Sequence, residues 1–246
     1  MKRLFAPLLA LATCTLCLAD ARQDVQAAVK KVAESPGYTW TTATEIEGGN
    51  WSPATITGKS LKGSFALVTS ERDGAVTTAV LKGEKGVLKT DEGWKTAEDL
   101  RNAGGGGGGG GGGRGLRGAM LLRTRLPVQD AVRMLETPDQ VAELKAGDGG
   151  VVSGDLTEKG AKEVLSLGRG RGGGGGGQAP EPKNAKGSVK FWVKDGQLTK
   201  YQVRVSGTLS FNGEDRDMTR TTTYEIKDVG TTEVKVPEEA SKALGS

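Results

Sequence analysis

The 246-residue sequence contains no histidine, and its two cysteines, Cys14 and Cys17, both lie near the N-terminus. The lack of histidine excludes catalytic triads and general bases that use an imidazole. If the N-terminal segment that contains both cysteines is removed, the chain also has no thiol for a disulfide, a nucleophile or a Cys/His metal cluster. The carboxylates Glu214, Asp215 and Asp217 cluster at a predicted hairpin tip, where charge serves solubility. We therefore expect no catalytic residue, no metal site and no cofactor.

The first 19 residues are typical of a secretory signal peptide. Lys2 and Arg3 precede an almost wholly apolar stretch over residues 4–18, and small residues follow from Ala19 to Ala21. The apolar stretch is shorter than the roughly 18 residues of a membrane span. We expect cleavage near Ala19 to Ala21 and an exported, periplasmic or extracellular, soluble protein. Acylation of Cys14, in a weak lipoprotein box, is the less favoured alternative because Thr13 stands where a smaller residue is usual.

Two glycine-rich tracts, at 104–118 and 168–182, divide the chain. No strand and no Gly-Lys-Ser/Thr sequence accompanies them as a nucleotide-binding loop requires, and they lack the aromatic residues of RNA-binding repeats. The formal net charge of +4 is also too small to indicate a nucleic-acid partner. Both tracts are interpreted as slack connections, and ten consecutive glycines span about 16–19 Å on average.

Residue periodicity predicts one α+β domain over residues 22–246. A helix over 24–33 precedes short alternating strands, as in "YTWTTATEI" and "AVTTAVLK". Helices are predicted to begin after Thr96, at Pro127, at the "TPDQ" capping box of 137–140, and after Thr157. The chain then returns to hairpins with turns at Asp195-Gly196 and Asn212-Gly213, and "TTEVKVP" predicts a last strand. The predicted fold is a strongly curved antiparallel sheet with helices on its concave face.

This order of elements resembles the LolA-like half-barrel superfamily of periplasmic lipoprotein carriers and related mycobacterial lipid-transfer lipoproteins. The resemblance rests on the helix before the first strands, on the "DEGW" turn at 91–94 that leads into a helix, and on the closing hairpins of 188–237. It implies an open barrel whose apolar groove, roofed by helices, shields acyl chains in transit. The two glycine tracts depart from the pattern of that family.

The aromatic and aliphatic residues of the strands are the candidates for lining such a groove. The candidate groove residues are Tyr38, Trp40, Phe65, Leu67, Phe191, Val193, Tyr201, Val203 and Tyr224. A second set, interleaved with leucines and methionine, is a candidate for contact with anionic headgroups at a membrane surface. This set comprises Arg114, Arg117, Arg123 and Arg125.

These patterns favour an exported, non-catalytic carrier or binding module for an apolar ligand, such as a lipid or a lipidated protein. The alternative is a cell-envelope scaffold or protein-interaction domain whose core is filled and which takes no ligand. The oligomeric state is left open by the sequence.

Overall fold

The computed structural model describes residues 21–47, 53–63, 65–104, 118, 120–137, 139–166, 181–211 and 213–245. The predicted signal peptide and most of both glycine tracts lie outside these ranges. The described helices are α1 (Ala21–Glu34), α2 (Ala97–Gly104), α3 (Pro127–Glu136), α4 (Glu158–Ser166) and α5 (Glu238–Ala243).

Eleven strands form one antiparallel sheet, which is open because its first and last strands do not pair. The first six are β1 (Gly37–Glu47), β2 (Thr55–Leu61), β3 (Ala66–Arg72), β4 (Ala75–Lys82), β5 (Lys85–Thr90) and β6 (Gly93–Thr96). The others are β7 (Lys145–Ala146), β8 (Val151–Leu156), β9 (Lys183–Lys194), β10 (Gln197–Phe211) and β11 (Glu214–Lys227). Their spatial order is β6-β5-β4-β3-β2-β1-β11-β10-β9-β8-β7. The edges of the sheet are β6 and β7, and the earliest and latest strands in the sequence, β1 and β11, pair in the middle.

The sheet has an inner, concave face, which carries Trp40, Val68 and Tyr201, and an outer face. Helix α1 packs on β9 and β10, α4 packs on β8 to β10, and α3 packs on α1. We call α1, α3 and α4 the roof helices. The apolar stripe of α1, which includes Val25, Val29 and Val32, is fully buried against the inner face, as expected for an amphipathic helix. The predicted half-barrel of class α+β is therefore confirmed.

Several predicted helix starts are confirmed in detail. Thr96 and Asp99 form a reciprocal capping box, in which each backbone N–H is bonded to the side chain of the other at 2.9 and 3.1 Å. Pro127 occupies the first turn of α3. The hydroxyl of Thr157 accepts a bond from the Gly160 backbone N–H at 3.0 Å and so caps α4.

Two predicted elements are wrong. No helix follows "TPDQ": Asp139 has a φ of +61°, Val141 bridges to Leu156, and the Ala142 N–H bonds the Asp155 carbonyl. The chain pairs with β8 there, and this pairing outweighs the local capping signal. The last predicted strand, "TTEVKVP", is irregular, because β11 is already paired on one side with β1 and on the other with β10. No strand edge is free beside β11 to accept it.

The segment after β11 instead leads to α5, which the sequence analysis did not predict. This helix lies on the outer face, where Ala240 and Leu244 are buried against Val80 and Val87. The outer face thus has a small core of its own, separate from the one beneath the roof helices.

Candidate functional site

A stack of aromatic rings crosses the middle of the inner face. Tyr224, Tyr201 and Phe191 are direct cross-strand neighbours on β11, β10 and β9. The Tyr201 and Tyr224 rings are nearly parallel, with centroids 4.2 Å apart, and the Phe191 and Tyr201 centroids are 6.0 Å apart. Because residues paired across antiparallel strands point to the same face, the register of the three strands places these rings side by side.

The hydroxyl of Tyr201 joins the stack to the roof helices. The Tyr201 hydroxyl donates to the Pro127 carbonyl in the first turn of α3 at 2.9 Å. Burial raises the pKa of Tyr201 well above its ordinary value and raises the pKa of Tyr224 to about 12. Both hydroxyls therefore remain neutral hydrogen-bonding groups near neutral pH.

Trp40 extends this apolar surface onto β1. Its indole N–H donates to the Ser60 hydroxyl at 3.2 Å, and its ring lies directly over Gly58. A Cβ atom at position 58 would approach the ring to within 2.2 Å, so glycine is what allows the indole to lie flat on β2. Tyr38, two residues earlier, is also buried, and burial raises its pKa to about 12.

Several charged groups lie on the roof helices. Two polar atoms of α3 are buried without a hydrogen-bond partner in the described part of the chain. They are one carboxylate oxygen of Asp130 and the Nε atom of Arg133. Desolvation raises the pKa of Asp130, and the nearby Arg125 and Arg133 oppose that shift. Glu163 on α4 accepts hydrogen bonds from Arg133 and Gln140, and this carboxylate links α3 to α4.

The structure brings most of the predicted groove residues together. Those on the inner face are Tyr38, Trp40, Phe191, Val193, Tyr201, Val203 and Tyr224. Phe65 and Leu67 require a correction, because they lie on the outer face, packed in the small core beneath α5. Their neighbours Ala66 and Val68 face inward. The run "FALV" is apolar on both faces of β3, so alternation could not decide which pair faces the groove.

The predicted headgroup contacts are only partly covered by the structure. Arg123 is exposed, and the Arg125 guanidinium lies 3.8 Å from the Asp130 carboxylate. Arg114 and Arg117 lie outside the described residues, so contact of this arginine set with a membrane stays a prediction.

Sequence reasoning missed Arg220. This residue lies on the inner face of β11, opposite Ile46 on β1 and Val205 on β10, and its Nη2 donates to the Val164 carbonyl of α4. The inward residues of β11 from 218 to 224 are Met, Arg, Thr and Tyr, so polarity along the strand does not mark a face. Only the pairing with apolar residues of β1 and β10 identifies the arginine as inward-facing.

Two further depressions are at the surface. An open, largely apolar groove of about 500 Å³ lies between the end of α1 and α3, lined by residues that include Ala33, Val128 and Val132. A smaller one of about 210 Å³ lies around Thr57, Lys59 and Leu67. Neither contains the aromatic stack.

Within the described ranges, no group of three or more Asp or Glu side chains is placed to hold a metal ion. None of the helices in those same ranges has the length and apolar character needed to cross a bilayer.

Comparison with solved structures finds similar chains at low sequence identity. LprF from Mycobacterium bovis is 12% identical with a TM-score of 0.43, and the match covers 89% of this chain and 97% of that one. The Mycobacterium tuberculosis lipoprotein LppX is 9% identical with a TM-score of 0.44, over 88% and 98%. A LolA superfamily protein from Nitrosomonas europaea is 11% identical with a TM-score of 0.34, over 88% and 95%.

No family model matches the sequence, and no curated protein matches it.

Proposed function

We propose that the protein is an exported, non-catalytic carrier for an apolar ligand, such as the acyl chains of a lipid or of a lipidated protein. In this proposal the inner face of the sheet is the binding surface and the roof helices cover it. The observation that carries the proposal is the continuous aromatic and aliphatic surface of the inner face, which lies under helices that enclose unpaired polar atoms.

The polar atoms under the roof support a cover that opens. A permanent core is best sealed by apolar side chains, since each buried polar group without a partner costs about 1–3 kcal/mol. Asp130 and Arg133 both have such atoms. The closed position of α3 is therefore less stable than a fully apolar contact would make it, and lifting the helix returns these groups to water.

Export and the lack of catalysis rest on the sequence. The basic and apolar leader is typical of secreted proteins, and the chain has no histidine. The carboxylate of Asp130, near the inner face, is flanked by Arg125 and Arg133.

A scaffold without a ligand is the second candidate. It is favoured by the complete burial of Phe191 and Tyr201, which fill the space between the sheet and the roof. The two candidates differ in whether an apolar molecule can reach Trp40.

The test uses Trp40 as a contact probe. Substituting Trp51, Trp94 and Trp192 by Phe leaves Trp40 as the single tryptophan, and brominated oleyl alcohol quenches an indole that it touches. We expect saturable quenching of Trp40 by the brominated alcohol and none by unbrominated oleyl alcohol. A matched variant that keeps only Trp192, which is on the outer face opposite Lys200, should show no saturable quenching.

Organic extraction of the purified protein followed by mass spectrometry provides an independent measurement. A co-purifying lipid would support the carrier. Absence of both a bound lipid and saturable Trp40 quenching would contradict it and favour the scaffold.

A further inference from the structure

Within the described part of the chain, Arg220 is a half-buried cation without an anionic partner. Among the residues that the structure describes, its guanidinium donates a hydrogen bond to the Val164 carbonyl of α4 and forms no ion pair. Burial lowers the pKa of the guanidinium, and no carboxylate opposes that shift; the nearby group that does so is Tyr224.

One carbonyl is a poor environment for this group. A guanidinium has five N–H donors, and a buried charge is costly unless it is paired and hydrogen-bonded. Val164 lies in the last turn of α4, where the helix dipole contributes roughly half a negative charge. The helix end therefore neutralises Arg220 only in part.

Two other arginines of the protein each pair with a glutamate. Arg204 lies on β10, on the outer face, and is exposed, yet it makes a bidentate pair with Glu47 at 2.7 and 3.1 Å. Between the roof helices α3 and α4, Arg133 pairs with Glu163. Arg220, by contrast, faces inward and has no carboxylate partner among the described residues.

The surface beside Arg220 becomes less polar in one direction along β11. Thr222 comes next on the same face, and its hydroxyl shares a hydrogen bond with that of Thr44 at 3.3 Å. Tyr224 and the aromatic stack follow. Four residues of a strand place Arg220 and Tyr224 about 13 Å apart. This order, from cation through hydroxyls to stacked rings, matches a molecule with an anionic end and an apolar chain.

We propose that Arg220 binds the phosphate or carboxylate group of an anionic amphiphile whose chain lies along the inner face toward Tyr224. This inference rests on the proposed carrier function, since it assigns the polar end of the same ligand. The Val164 carbonyl is exchanged for the anion when the ligand enters, because both use the same guanidinium.

The experiment compares anionic and neutral amphiphiles of one chain length. Dodecyl phosphate, dodecanoate and dodecanol compete, each below its aggregation concentration, with brominated oleyl alcohol in the variant whose single tryptophan is Trp40. We expect Arg220→Gln to weaken binding of dodecyl phosphate by at least about tenfold, the effect of losing a hydrogen-bonded charge. Dodecanol binding should change by less than about twofold.

Two variants control for the substitution itself. Arg204→Gln removes a guanidinium from the outer face of the neighbouring strand and should leave both affinities unchanged. Arg220→Lys keeps the charge and should retain most of the preference for the anionic compounds, without the bidentate geometry of arginine. This variant also tests the proposal if Arg220→Gln does not fold.

Several results would overturn the inference. An equal loss of dodecyl phosphate and dodecanol binding in Arg220→Gln would mean that Arg220 only caps α4. Competition by inorganic phosphate at the concentration effective for dodecyl phosphate would indicate a site for a free anion. Equal affinity of the wild type for dodecanol and dodecyl phosphate would remove the headgroup site and keep the carrier, whereas lack of binding by all compounds would contradict both proposals.

Discussion

Asp130 lies on α3, near the stacked tyrosines, with one carboxylate oxygen buried and without a hydrogen-bond partner in the described structure. Desolvation raises its pKa above the ordinary value, and Arg125 and Arg133 only partly oppose this. The folded state therefore keeps a proton that the unfolded chain has already released. Between the ordinary pKa of Asp130 and its raised pKa in the folded state, the folded state binds more protons than the unfolded state. The stability of the protein therefore falls as the pH rises through this range.

Because the charged form of Asp130 destabilises the folded state, Asp130→Asn gives a testable prediction. Asparagine has the same shape without the charge, so we expect the variant to be more stable than the wild type at neutral pH, by about 1 kcal/mol. The difference should shrink as the pH falls below about 4, where the carboxyl group is protonated in both states. Urea unfolding at a series of pH values measures it.

Asp99 provides a control of opposite sign. Hydrogen bonds from Thr96 lower the pKa of Asp99 in the capping box of α2. Stability from this group is present above the ordinary pKa and is lost as the pH falls through the lowered value. Asp99→Asn should therefore lose stability at neutral pH. Destabilisation by Asp130→Asn at neutral pH would show that the Asp130 charge stabilises the roof.

At the scale of elements, α5 covers the outer face of β4 and β5. Ala240 and Leu244 pack against Val80 and Val87, with Phe65 at the margin. Without the helix, these apolar side chains would form an exposed patch on the sheet. The helix is short, so its stability comes from this contact and not from its own hydrogen bonds.

The two alanines of α5 allow a matched comparison. Ala240 is fully buried, whereas Ala243, in the same helix, is exposed. Ala240→Gln should destabilise the protein by about 1–3 kcal/mol, because the longer polar side chain cannot fit against Val80. Ala243→Gln should change stability by less than about 0.5 kcal/mol. Equal melting temperatures for the two variants would mean that α5 does not dock on the sheet in solution.

The elements that could be predicted from sequence are those whose signal is local. The alternation in β10, the capping box at Thr96 and the turn at Asp195-Gly196 depend on neighbours in the chain. Both residues of that turn have a positive φ. The predicted helix at "TPDQ" failed because Val141 pairs with Leu156, a contact that the local sequence does not specify. Arg220 was missed for the same reason, since its face is defined by Ile46 and Val205 on other strands.

At the scale of the molecule, one sheet joins two meanders. Strands β1 to β6 come from the first part of the chain and β7 to β11 from the second, and the β1–β11 pair connects them. In the sequence, the first glycine tract follows α2 and the second follows α4. The roof helices α3 and α4 both lie between the tracts in sequence.

This placement leads to a prediction about tract length. If residues 104–113 are only slack, deleting five of the ten glycines should change the free energy of unfolding by about 0.6 kcal/mol, because the entropy of loop closure depends on the logarithm of length. Quenching of Trp40 by brominated oleyl alcohol should then reach the same end point as in the parent protein. Stopped-flow measurement of the quenching rate adds a second readout, since a tract that lets α3 lift would slow ligand entry when shortened. A large loss of melting temperature would contradict the slack interpretation, and replacing the five glycines by serines at full length would show whether length or glycine itself is required.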